Sequence, residues 1–235
     1  MENLPLYTGI VFIITTGLTI LLFYRAANYS FTALLIVSAW LVLQALLSLS
    51  SFYEITDTIP PRGILFIIPP LLFIIALFVS AGGRRFIDQL NPGSITLLHT
   101  IRIPVEIVLY CLFLDKQVPK LMTFAGGNFD IISGLTAPLV FYLGFIKKVI
   151  GRKIILLWNL VCLGLLMSII LHAMFSVPSP FQKFAFDQPN IAILHFPYAW
   201  LPSCIVPIVL FSHLTMIRNL LIRIKVPDNY QSRSL

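Results

Sequence analysis

Seven apolar runs of membrane-spanning length, parted by short polar turns, constrain this chain more than any other feature of its sequence. They cover residues 7–24, 31–49, 64–81, 95–114, 129–146, 154–175 and 198–222. About 20 apolar residues cross the hydrocarbon layer as a helix, because a helix satisfies its own backbone polar groups. Barrel strands would instead alternate apolar and polar residues over about 9–11 positions. Of the 235 residues, 58% are hydrophobic and 11% charged, which excludes a soluble domain with its roughly 25% charged residues. The sequence therefore predicts an all-α integral membrane protein. Residues 1–235 form one polytopic domain, a bundle of seven transmembrane helices in contact with the lipid bilayer.

The basic residues set an orientation. Counting turns on alternate sides, one face holds Arg25, Arg84, Arg85, Lys147, Lys148, Arg152, Lys153, Arg218, Arg223, Lys225 and Arg233, and the other only Arg62, Lys116, Lys120 and Lys183. Basic residues concentrate on the cytoplasmic side, so the amino terminus is expected outside and the carboxyl terminus in the cytoplasm. This placement accounts for the net charge of +7 without a nucleic-acid partner. The first run is preceded only by Glu2 and has no basic region before it, which reads as a retained span and not a secretory signal. The tail from Arg223 onward is expected to be disordered at its end.

The run 95–114 departs from the others because it carries His99, Arg102 and Glu106. A charge near the bilayer centre costs roughly 2.5–3.5 kcal/mol on insertion scales, and such residues default to function. Spacings of three and four residues put all three on one helix face. Arg102 and Glu106 can neutralise each other there. Pro104 removes the amide that would bond the carbonyl of Thr100, freeing an acceptor and permitting a kink. The helical rise places His99, Arg102, Asn159 and His213 roughly 5–15 Å from the cytoplasmic ends of their spans, with Glu106 nearer the midplane. These five are the candidate intramembrane site.

A second candidate cluster, at the outer surface, comprises Asn128, Asp130, His172 and His195, with the stretch from Met122 to Phe124 beside it. Each residue also has a structural reading. Arg102 and Glu106 can be an ion pair that fixes packing, Asn128 and Asp130 can cap the fifth span, and Asn159 can bond between helices. His213 can be a satisfied packing residue, and His172 and His195 can be solvated.

Several activities fail on residue type. No lysine lies between Tyr198 and Ile222 to carry a retinal Schiff base, His213 has no second histidine at zinc spacing, and Glu106 has no paired glutamate. Cys111, Cys162 and Cys204 are far apart, so no metal site is expected, and the cofactor is left open. Leu121, Met122, Thr123, Phe124, Asn128, Phe129 and Asp130, continuing to Gly134, Leu135, Thr136, Ala137 and Pro138, resemble uncharacterised bacterial membrane proteins. That resemblance implies a bacterial cytoplasmic membrane and brings no activity with it.

Transport or binding of a small solute or proton through the polar site on the fourth span is the leading expectation. Pro69 and Pro70 should kink or break the third span near its middle, and Pro207 interrupts the seventh at a comparable place, a pointer to a transporter repeat. The competing readings are a non-catalytic subunit or sensor of a membrane complex and an enzyme acting on a lipid, with Glu106 or a histidine as base and Arg102 holding an anionic head group. The last is a haem protein with His99 and His213 as axial ligands.

Overall fold

The computed structural model describes residues 6–225, with side chains to Ile222; Glu2, the side chains of Arg223 and Lys225, and the tail containing Arg233 lie outside the described part. Helix is the regular secondary structure of the described residues, among which there is no strand. In order they are α1 (Leu6–Ala26), α2 (Phe31–Leu49), α3 (Ile64–Val79), α4 (Ala81–Gln89), α5 (Pro92–Leu98), α6 (Arg102–Leu114), α7 (Asp130–Phe141), α8 (Arg152–Ser176) and α9 (Val206–Lys225). Five helical segments are long and apolar enough to cross a membrane: Leu6–Ala26, Phe31–Leu49, Pro92–Leu114, Arg152–Ser176 and Leu201–Ile222. The pair α3 and α4 is a sixth if it counts as one span, and Asp130–Ile146 is apolar but shorter.

Burial runs inside out, as a lipid-facing bundle requires. In α2 the buried residues are Leu41, Gln44 and Ser48, while Leu35, Ile36, Val42, Leu43 and Leu46 are exposed. In α8, Asn159 and Cys162 are buried while Ile154, Leu157, Leu160 and Val161 face out. Contiguous apolar surface on this scale is rare on soluble monomers. In α1 a stripe of buried threonines faces α5 and α6. Thr15, Thr16 and Thr19 each donate to the carbonyl four residues back, at 2.8, 3.0 and 2.8 Å, so their hydroxyls are satisfied without a partner helix.

The proline pair does not break the third span. α3 runs as one α-helix through Pro69 and Pro70, and the chain instead turns by 91° between α3 and α4. Two residues cause the turn. Ser80 is extended and its hydroxyl accepts from the amide of Gly83, capping α4, and Gly83 lies so close to the backbone of Leu77 that a Cβ has no room. Pro207 lies at the second position of α9, just after a π-helical turn at Leu201–Ile205. The two proline sites are therefore not equivalent interruptions, and their correspondence no longer points to a repeat.

The fourth apolar run does change character near Pro104. A 3₁₀ turn over His99–Ile101 joins α5 to α6 just where the missing amide and the proline ring disturb the carbonyl of Thr100. α7 packs on α5, on this turn and on α6. Connections gather at two ends of the bundle. At one end Ser48 Oγ donates to the Leu194 carbonyl (3.3 Å), the Ile191 amide to the Gln117 carbonyl (3.1 Å), and Gln188 Nε2 to the carbonyls of Phe113 (3.0 Å) and Val118 (2.6 Å). At the other, the Asn91 amide donates to the Ala26 carbonyl (2.9 Å), and Arg218 pairs with Asp88 (2.5 Å).

Candidate functional site

Arg102, 3% exposed, is the hub of a polar centre buried among α6, α7, α8 and α9. Its Nη1 donates to Asp130 Oδ1 at 2.5 Å and lies 3.5 Å from the Cys162 carbonyl. Its Nη2 lies 2.8 Å from His213 Nε2. A guanidinium only donates, so His213 accepts at Nε2 and carries its proton on Nδ1. That nitrogen lies 3.0 Å from Asn159 Oδ1, which accepts its hydrogen bond, while Asn159 Nδ2 donates to the Ile155 carbonyl at 2.9 Å. The chain of bonds thus fixes one tautomer.

Glu106 is buried at 2% exposure but does not pair with Arg102 in an ion pair. Its Oε1 accepts from Asn128 Nδ2 at 2.6 Å, and its Oε2 has no hydrogen-bond partner. The expected Arg102 to Glu106 neutralisation is replaced by an ion pair between helices, Arg102 with Asp130. The reason lies on α7. A Cβ on Gly134 would come within 2.9 Å of Ile103 Cγ1 and 3.3 Å of Arg102 Cβ, so glycine lets α7 approach α6 closely enough to bring Asp130, one turn earlier, onto the guanidinium.

Asn128 and Asp130 are therefore bonded to Glu106 and Arg102 of the buried centre, and Asn128 also lines a cavity with His172 of the second cluster. Asn128 Nδ2 also donates to the Met122 carbonyl (3.0 Å), and its Oδ1 accepts from the amide of Asp130 (3.0 Å), an Asx turn leading into α7, whose N-cap position is held by Phe129 without a side-chain cap. His172 lines a small cavity of about 50 Å³ with Gly127, Asn128, Phe129, Leu165, Ser168 and Ile169. His195 lies apart from it, with Nδ1 3.3 Å from Glu54 Oε1. Burial holds the His195 pKa below its usual 6.5, opposing the pull of Glu54. Nearby, burial pushes Tyr53 up to about 12 although its hydroxyl donates to Gln44 Oε1 at 2.6 Å.

His99 is fully buried and stacks on His213 with ring centroids 4.0 Å apart and planes at 17°. Neither of its nitrogens has a partner. Trp158 meets His99 edge-on at 5.7 Å and donates from Nε1 to Thr136 Oγ1 at 2.9 Å. The layer does not fit a bis-histidine haem: the rings lie face to face, and both nitrogens of His213 are engaged. Sequence reasoning missed Trp158, Thr136 and the Cys162 carbonyl, none of which carries a charge to mark it.

The family model described as Domain of unknown function (DUF8737) matches residues 59–221. The chain belongs to that family. No curated protein and no solved structure matches it. The DUF8737 match runs from before α3 into α9 and contains every residue of the buried centre, whereas α1 and α2 precede it.

Proposed function

We propose that this chain is a seven-segment helical membrane protein that binds a proton at Glu106 and carries it across the membrane. Its amino terminus is outside and its carboxyl terminus cytoplasmic. In this arrangement α3 is the third crossing, and α4 with Arg84 and Arg85 lies along the cytoplasmic interface. The two groups of connections alternate as that topology requires, with the denser set of basic residues at the cytoplasmic end.

One observation carries the reading. Arg102 is already paired with Asp130, while Glu106 keeps a buried oxygen, Oε2, with no hydrogen-bond partner. A carboxyl group so placed can gain and lose a proton without dismantling the ion pair. The cavity beside its partner Asn128, about 50 Å³, has room for only a few waters at about 10–15 Å³ each, which favours a proton over a larger solute. Arg102 has a single unpartnered nitrogen, Nε, which disfavours its holding an anionic lipid head group.

The test uses liposomes containing the full chain and a trapped pH-sensitive dye. An imposed pH gradient should collapse through the wild type and persist with Glu106→Gln. Equal rates for the two proteins overturn the proposal.

A further inference from the structure

The connection between α6 and α7 does not stay at the end of the bundle. Leu114 closes α6 in an exposed position, yet Asn128 bonds to Glu106, eight residues before Leu114. At 1.5 Å per residue the connection therefore descends about 12 Å. On the way Val118, Met122 and Thr123 are buried, whereas Phe124, Ala125, Gly126 and Gly127 are exposed. Irregular backbone at membrane depth occurs only where it is buried in protein or lines a water-filled cavity. The exposed half of this loop is not buried in protein, which leaves the second condition.

Cavities flank the descending loop. One of about 620 Å³ lies between it and the 177–200 connection, lined by Lys120, Ala125, Gly126, Asp187 and Gln188 among others. The cavity of about 50 Å³ lies against its inner end, lined by Asn128, Ser168 and His172. Three buried acceptors on this side lack donors, Glu106 Oε2, Gln117 Oε1 and Asn190 Oδ1, and water is the donor that such atoms ordinarily find. Beyond Arg102 the bundle is closed. The rings of His99 and His213 stack there and Trp158 meets them at an angle, with Leu98, Ile101 and Ile155 buried.

We propose that residues 115–129 and 177–200 enclose a water-filled vestibule that brings protons to Glu106 from their own end of the bundle alone. The inference rests on Glu106 being the proton site. The titratable groups around it are Arg102 on its own helix, Asp130 on α7, Cys162 on α8 and His213 on α9, with His172 at the inner cavity and Lys120 and Asp187 at the wider one.

Accessibility of introduced thiols tests it on the reconstituted full chain, with Cys111, Cys162 and Cys204 replaced by alanine. Ser168→Cys probes the inner cavity, Ala125→Cys the exposed loop, and Leu135→Cys a lipid-facing position on α7. A charged, impermeant thiosulfonate reacts with thiolate, which forms in water, so both vestibule probes should label roughly tenfold or more faster than Leu135→Cys. They should do so only from the end carrying residues 115–129. Labelling of Ser168→Cys and Ala125→Cys no faster than Leu135→Cys, or from the opposite end, overturns the vestibule. Because labelling needs no transport, its failure is separable from that of the Glu106 proposal, which shows as unchanged proton flux in Glu106→Gln.

Discussion

Replacing Arg102 by Met and Asp130 by Leu, singly and together, probes the contact on which the buried centre depends. The two side chains are 3% and 9% exposed and 2.5 Å apart. Removing one partner leaves an uncompensated charge in an apolar bundle, a loss of about 3–5 kcal/mol. Removing both eliminates that penalty. What persists in the double variant is the unpartnered Nε2 of His213, which loses its donor at a cost of about 1–3 kcal/mol. The double variant should thus be more stable than either single one, with an interaction energy of at least about 2 kcal/mol, toward the top of the range for contacting residues. Equilibrium unfolding in mixed detergent micelles, followed by tryptophan fluorescence, measures it. The same cycle on Arg102 and Glu106 should give a smaller coupling, since Glu106 bonds to Asn128 instead. Additive losses at 102 and 130, or a larger coupling at 102 and 106, would refute this assignment of partners.

Gly134→Ala sets a methyl against Ile103 and Arg102 and should destabilise the protein by roughly 1–3 kcal/mol through overpacking; melting temperatures in detergent check this, and an unchanged value contradicts the close approach of α7. For His195, burial lowers the folded pKa beneath 6.5. The neutral ring is therefore favoured in the folded state, and its contribution is complete above pH 6.5 and lost as pH falls from there toward the lowered value. His195→Gln should flatten that part of the stability profile, and parallel profiles for the two proteins contradict it.

Much of the fold was legible because one physical demand dominates it. A helix in lipid must be apolar over its length, so runs of that kind mark themselves, and each of the apolar runs contains helix in the structure. The stripe of His99, Arg102 and Glu106 was also legible, since charges in such a run are costly. Its partners were not. Asn128 and Asp130 lie beside a glycine-containing turn that in sequence looks like a surface loop, and nothing local says that the loop descends into the bundle. The close approach allowed by Gly134 depends on which helices are neighbours, which periodicity does not encode. The bend at Ser80 was hidden for another reason: Pro69 and Pro70 are the louder signal, yet α3 accommodates them, while a capping serine and a crowded glycine make the turn.

The most direct measurement of Glu106 as the proton-exchanging group is infrared difference spectroscopy of the reconstituted protein across a change of pH, reading the carboxylic-acid C=O stretch. The account predicts a band that appears and disappears with pH in the wild type and is missing in Glu106→Gln. An unchanged band in that variant would assign the titrating carboxyl group elsewhere and contradict the central claim.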